Sequence, residues 1–273
     1  MKTRILSAAI LLPLLFIILL ALPKVVAAVL FGLMAAIAAY ELLFGTGLVR
    51  HRRLVVYAMI MAFLVSMWCC FGRSYTMALL GIVLFFVALF SEMMLSHIKL
   101  RFEKIAICLV AGLLIPYLLT SLVRIHMVSG TGRYFVMIPF ILAFISDSGA
   151  YFAGRYLGKH KLAPVISPNK TVEGALGGIL AAIAGMLLYS LILDLAFGFT
   201  VNYFYALVYG ILGSLGSVFG DLCFSVIKRQ TGIKDFGNLI PGHGGILDRF
   251  DSMMTVGPLA ELLLLLIPLA VAA

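Results

Sequence analysis

Charge is scarce in this chain. Asp, Glu, Lys and Arg make up 11% of the 273 residues, and only 11 of the 31 are acidic. A soluble domain carries about a quarter of its residues as charges. With 64% of residues hydrophobic and a mean hydropathy of +1.18, too little polar surface is available to coat a water-soluble globule, which excludes a soluble domain of this length. Cysteine is also rare. Cys69, Cys70, Cys108 and Cys223 all fall in apolar stretches with no CxxC spacing, which points away from a disulfide framework and from a zinc site. There is no Walker A run and no dinucleotide-binding fingerprint, so the soluble nucleotide folds that depend on them are excluded. Internal repeats, low-complexity segments and linkers are missing as well.

What is present is a succession of long apolar stretches. A helix needs about 20 mostly apolar residues to span a bilayer. About nine such stretches can be drawn, near 5–22, 25–44, 54–71, 76–92, 104–123, 134–154, 172–196, 201–225 and 251–272. The expectation is an all-α, polytopic membrane protein. The first stretch follows Lys2 and Arg4 but is longer than a secretory signal's apolar core, and another follows at once, so it reads as a retained span. Sixteen of the 20 Lys and Arg residues fall on the side of the N-terminus. Lys24, Arg73, Arg124 and Arg133 fall on the other. Basic loops stay in the cytoplasm, so the N-terminus is expected inside and, with nine spans, the C-terminus outside. The net charge of +9 is largely this topology signal and calls for no nucleic-acid partner, although it favours anionic lipid headgroups.

The two halves differ. Residues 1–133 read as a scaffold, nearly free of charge within the spans apart from Glu41 and Glu92 near helix ends. In 134–273 ionisable groups enter the spans and two long cytoplasmic loops appear, 155–171 and 226–250. Ionisable residues at membrane depth are costly and usually functional. Asp147 lies inside the sixth stretch, sharing a helical face with Tyr151 and Gly154. The following loop, Gly158 to Gly174, carries Lys159, Lys161 and Lys170 among prolines and hydroxyls. Ser167 or Thr171 is placed to cap the next helix, whose N-terminal end favours a phosphate. Asp221 follows, with Ser225 one helical turn on and Lys228 one more. Around it Gly213, Ser214, Gly216, Ser217 and Gly220 allow a neighbouring helix to approach closely.

The most informative segment runs from Ser225 to Asp251. Lys228, Arg229 and Lys234 precede a turn with Gly242, His243, Gly244 and Gly245. Asp248 and Asp251 then stand one helical turn apart, a pairing that suits a hard cation such as magnesium. Cations neutralise a polyphosphate, glycines admit backbone amides to phosphate oxygens, and paired carboxylates hold metal. Together they are the parts needed for phosphoryl or nucleotidyl transfer. An ordinary basic loop ahead of a capping aspartate would account for the lysines, but not for the His-Gly-Gly turn or the second acid.

This segment closely resembles the signature of the phosphatidate cytidylyltransferases, or CDP-diacylglycerol synthases. That pattern is Ser-x-apolar-Lys-Arg, four residues, Lys-Asp, then Pro-x-His-Gly-Gly, two residues and Asp-Arg-x-Asp. Each position is matched without a gap between Ser225 and Asp251. Asp147-Ser-Gly-Ala-Tyr151 and Ser167-Pro-Asn-Lys-Thr-Val-Glu-Gly174 are similar to the same family, so the resemblance covers roughly 145–254. It implies magnesium-dependent reaction of CTP with phosphatidic acid to give CDP-diacylglycerol and pyrophosphate, by a homodimer in the bacterial inner membrane with its active site facing the cytoplasm. It further implies Asp221 and Asp248 as metal ligands, with Asp251 as a third, and leaves open a second metal or a monovalent cation. Lys228, Arg229 and Lys234 would hold phosphates. His243, Gly244 and Gly245 would shape the triphosphate site, with Ser225 and Arg249 beside the substrate. Asp147, Lys159, Ser167, Lys170 and Thr171 would line the facing wall. Two rival readings are an anion transporter, which would be expected to show an inverted repeat, and another CTP-using lipid enzyme such as a polyprenol kinase.

Overall fold

The computed structural model describes residues 2–96, 99–128 and 130–272. The chain is an all-α polytopic membrane protein. Its helices are α1 (Lys2–Ala21), α2 (Lys24–Gly45), α3 (Arg52–Cys70), α4 (Tyr75–Leu95), α5 (Phe102–His126), α6 (Gly132–Leu157), α7 (Val172–Phe197), α8 (Tyr203–Gln230), α9 (Ile246–Phe250) and α10 (Met253–Leu266). Seven of these, α2 to α8, are long and apolar enough to cross a membrane. Two shorter apolar helices, Ala9–Ala21 within α1 and Met253–Leu266, accompany them among the described residues.

The chain forms two compact units. The first comprises residues 1–127 and 228–250, and the second 128–227 and 251–273. The signature loop therefore belongs with the N-terminal helices, and α8 runs from one unit into the other.

In the first unit, α2 packs along α3 through small residues. Ala27, Ala28, Ala35, Ala38 and Ala39 have no exposed surface. A Cβ on Gly32 would come within 2.9 Å of the Phe63 ring, and the Ser66 hydroxyl donates to the Ala28 carbonyl at 2.7 Å. With lipid as solvent there is little hydrophobic drive between helices, so close backbone approach and buried hydrogen bonds hold them. Most of α4 remains apolar and exposed, as befits a lipid-facing helix. The four cysteines are free thiols.

In the second unit the same device is denser. A Cβ on Gly149 of α6 would collide with Ala181 of α7, and one on Gly177 with Ala153. The Ser146 and Ser214 hydroxyls meet at 2.7 Å, joining α6 to α8. On α8, Gly213 admits Leu142, and Gly220 admits Thr255 and the Asp251 carbonyl.

Three features differ from the reading of the sequence. The 155–171 segment contains an antiparallel hairpin, β1 (Lys161–Ala163) with β2 (Ser167–Thr171), because Pro164 starts a turn that lets the flanking polar residues pair. Helix α8 continues through Lys228 and Arg229 to Gln230, so these cations stand on a helix and the loop begins after them. The last stretch stops at Leu266. Ile267 precedes Pro268 and adopts φ −137°, since a following proline disfavours helical geometry. The remaining strand, β4 (Ala270–Ala272), pairs with β3 (Phe199–Val201). A helix of 14 residues rises only about 21 Å, short of the ~30 Å hydrocarbon core.

Candidate active site

In the second unit, α6 supplies Asp147, the hairpin supplies Lys170 and α8 supplies Asp221. Thr171 is the residue that caps α7, its hydroxyl accepting the Gly174 N–H at 3.1 Å. Glu173, in the first turn of α7, ties down the other end of the hairpin. Its carboxylate accepts the Lys159 N–H at 3.0 Å and the His160 N–H at 3.2 Å, and meets His160 Nδ1 at 2.6 Å. With both ends held, Lys170 Nζ reaches Asp221 Oδ2 at 2.5 Å, the side chains 23% and 30% exposed respectively. Ser225 donates to Asp221 Oδ1 at 3.2 Å. Asp147 accepts from Ser217 at 3.0 Å and, at a long 3.5 Å, from Ser252. Asp147, Tyr151, Asn169, Lys170, Thr171 and Asp221 face a cavity of about 320 Å³.

In the first unit, α8 ends in a turn at Gly232, whose φ of +70° suits glycine. The Ile233 N–H returns to the Lys228 carbonyl at 3.0 Å. Lys228 turns to Asp248, Nζ to Oδ1 at 3.0 Å, with the two side chains 13% and 1% exposed. Asp248 Oδ2 accepts the N–H groups of Phe236 at 2.7 Å and Gly245 at 3.0 Å. One carboxylate thus closes the loop onto itself and holds the lysine. The turn itself is set by Gly242 and Gly244, at φ +78° and +85°, and by hydrogen bonds between Ile240 and Gly244 and from His243 to Ile240, each 2.9 Å. Lys234, Asn238, His243, Gly244 and Arg249 line a polar cavity of about 640 Å³ that also carries Asp235. His243 Nδ1 is buried with no hydrogen-bond partner.

The expected residues therefore fall into three groups. Asp147, Lys170, Thr171 and Asp221 share one cavity, with Ser225 behind Asp221. Lys228, Gly245 and Asp248 form one buried network. Lys234, His243, Gly244 and Arg249 share the loop cavity. Ser167 opens β2 opposite Ala163, Lys159 lies exposed at the hairpin entry, and Arg229 stands at the exposed end of α8. Helix α9 ends at Phe250, so Asp251 lies in the turn beyond it, where its Oδ1 accepts the Ser252 N–H at 2.8 Å. Residues given no functional role from the sequence join these groups. Glu41 of α2 accepts the Ile246 and Leu247 N–H groups at 3.0 and 2.8 Å, Glu173 accepts from Lys159 and His160, and Ser217 donates to Asp147. Glu41 had a legible signal, an acid at the end of an otherwise uncharged run.

As for metal, no group of three or more His, Cys, Asp or Glu side chains is gathered to hold one among the described residues. Asp147 and Asp221 offer oxygen donors only, which is the chemistry magnesium takes, commonly with one or two carboxylates completed by substrate phosphates and water. An ammonium already rests on Asp221 Oδ2, showing that this position draws a cation. Asp248 by contrast has both oxygens engaged and a 1% exposed side chain.

Comparison with known proteins bears on the family. A sequence model described as the cytidylyltransferase family matches residues 2–267. A protein of Staphylococcus saprophyticus named phosphatidate cytidylyltransferase is 40% identical over 177 residues, 65% of this chain and 65% of that protein. One of Staphylococcus epidermidis with the same name is 38% identical over 185 residues, 68% of each chain. One of Staphylococcus aureus is 38% identical over 175 residues, 64% of this chain and 65% of that protein. The match thus spans just under two thirds of the first of these relatives and just over two thirds of the second. Because the family model matches residues 2–267, nearly the whole chain, the chain belongs to the cytidylyltransferase family.

Proposed function

We propose that this protein transfers CMP from CTP to phosphatidic acid, giving CDP-diacylglycerol and releasing pyrophosphate, with magnesium as cofactor. The observation that carries the reading is the Asp221–Lys170 pair beside Asp147, opening into a cavity of the second unit. Charged groups of both signs around a cavity in a membrane protein are expensive, and they suit a substrate that brings phosphate and metal together. The names of the staphylococcal relatives support the choice of nucleotide and lipid.

A phosphate monoester carries between −1.5 and −2 charges near pH 7, roughly, so its oxygen needs no general base. That oxygen attacks the α-phosphorus of CTP, a new P–O bond forms, and the bond from the α-phosphorus to the bridging oxygen breaks. Pyrophosphate leaves with the electron pair. The obstacle is charge, because an anion must approach a polyanion. Magnesium, when bound, neutralises phosphate oxygens and stabilises the departing pyrophosphate. Asp221, with Asp147 beside it, would hold that ion, and Lys170 next to them would offer its ammonium to a phosphate. Lys234 and Arg249 give the loop cavity of the first unit a positive charge that suits a phosphate. Asp248 acts by holding Lys228 in one orientation, so that its ammonium meets phosphate without reorganising. The setting is the bacterial inner membrane, with the basic loops and the reaction on the cytoplasmic side.

The test uses detergent-purified protein, magnesium, CTP labelled at the α-phosphate and dioleoyl phosphatidate. Label should pass into the organic phase with wild type and not with Asp221→Asn. Transfer from γ-labelled CTP to a polyprenol instead would reassign the chain to a lipid kinase, and no covalent product from folded protein would sink the enzymatic reading.

A further inference from the structure

Glu41 stands out in the first unit. It is 3% exposed, and among the described residues no cation lies within ion-pair reach of it. Its carboxylate depends on two backbone donors, the N–H groups of Ile246 at 3.0 Å and Leu247 at 2.8 Å. Burying a carboxylate without a counter-ion is costly. Stability alone would be served better by a neutral side chain.

The loop is shaped around this acid. A Cβ on Gly237 would come within 2.5 Å of Glu41 Oε1, and one on Gly245 would meet both of its oxygens. On the helix side, a Cβ on Gly45 would lie 2.5 Å from the Phe236 carbonyl. Glu41–Gly45 forms a π turn, a local widening often found at functional sites. The glycines at 237 and 245 thus make room for an internal carboxylate. Three successive N–H groups, of Gly245, Ile246 and Leu247, are taken up by Asp248 and Glu41. They are not left open to a substrate phosphate.

From this geometry we infer that Glu41 is a positioning residue for the transfer reaction. It anchors the backbone of Ile246 and Leu247, which sets where Asp248 projects, and Asp248 in turn fixes Lys228. The inference rests on the reading above in which Lys228 meets substrate phosphate. Gln is close to isosteric with Glu, but its amide can accept only one of the two N–H groups and turns its own N–H toward the other. The neighbouring glycine positions leave the loop little space to adjust, so Asp248 and Lys228 must shift. A displacement near 1 Å at a reacting group costs about a hundredfold in rate.

The test is a double-mutant cycle on the detergent-purified full chain. Glu41→Gln should stay folded and lower kcat by about 10- to 100-fold. In a Lys228→Arg background it should cost less than about threefold, because the group it positions is already changed. Hydrogen exchange should rise in the 233–250 peptide and not in α3 or α4. Wild-type kcat for Glu41→Gln with only a lowered melting temperature would overturn the inference, as would a full, additive loss in the Lys228→Arg background. Failure of both Glu41→Gln and Glu41→Asp to fold would overturn it in favour of a purely structural acid. If wild type itself makes no CDP-lipid, the proposed function fails first, whereas an active wild type matched by Glu41→Gln sinks the positioning role alone.

Discussion

Two aspartate-to-asparagine changes separate the networks by magnitude. Asp248 is bound to Lys228 at 3.0 Å with side chains 1% and 13% exposed, and it also accepts two backbone N–H groups. Removing one partner of a buried pair costs about 3–5 kcal/mol, because the other charge is left uncompensated. Asparagine makes matters worse by turning an amide donor toward one of those partners. Asp221 is paired at 2.5 Å but with side chains 30% and 23% exposed, where water shares the charge. The pair there is worth nearer to ~1 kcal/mol, as for exposed pairs. Asp248→Asn should therefore lower both stability and turnover, whereas Asp221→Asn should abolish turnover while melting close to wild type. Thermal or denaturant unfolding in detergent, read by intrinsic fluorescence beside the label-transfer assay, measures both quantities on one preparation. Equal destabilisation by the two changes would refute the assignment of one aspartate to structure and the other to chemistry. Wild-type turnover by Asp221→Asn would remove it from the metal site.

Thr171→Ala should cost about 1 kcal/mol through loss of the α7 cap and raise the KM for phosphatidate by moving Lys170, while Thr171→Ser behaves as wild type. Unchanged kinetics in the alanine variant would disconnect the hairpin from the substrate. Gly177→Val should disrupt α6–α7 packing, since even a Cβ there meets Ala153, and yield of folded protein after detergent extraction reports it. A normal yield would mean that close approach is dispensable. Chelation of divalent ions should stop label transfer, and added magnesium should restore it. Transfer that persists in chelator would sink the magnesium assignment.

Much of this protein was legible from the chain. The apolar runs foretold the membrane helices because lipid leaves a spanning backbone few alternatives to helix. Intramembrane acids at 147 and 221 both line one cavity of the second unit, and their desolvation cost makes such acids rare without purpose. The segment from Ser225 to Asp251 carried the family likeness. Local chemistry also accounted for the capping of α7, although Ser167 and Thr171 were equally eligible until the hairpin showed that Thr171 alone sits at the helix start.

Other features depended on which parts of the chain meet. Glu41 lies 205 residues from Ile246, and no spacing rule links them. Only packing reveals that the signature loop groups with α2 and that its glycines surround this acid. Asp248 and Asp251 looked like a matched pair, yet α9 ends between them, because helix length follows from the contacts a segment finds rather than from the periodicity of two residues. Lys170 on the hairpin and Asp221 on α8 lie 51 residues apart along the chain and meet only in the fold. Sequence spells out solvent preference and local propensity, which are properties of neighbours along the chain. Charge partners and burial are properties of neighbours in space.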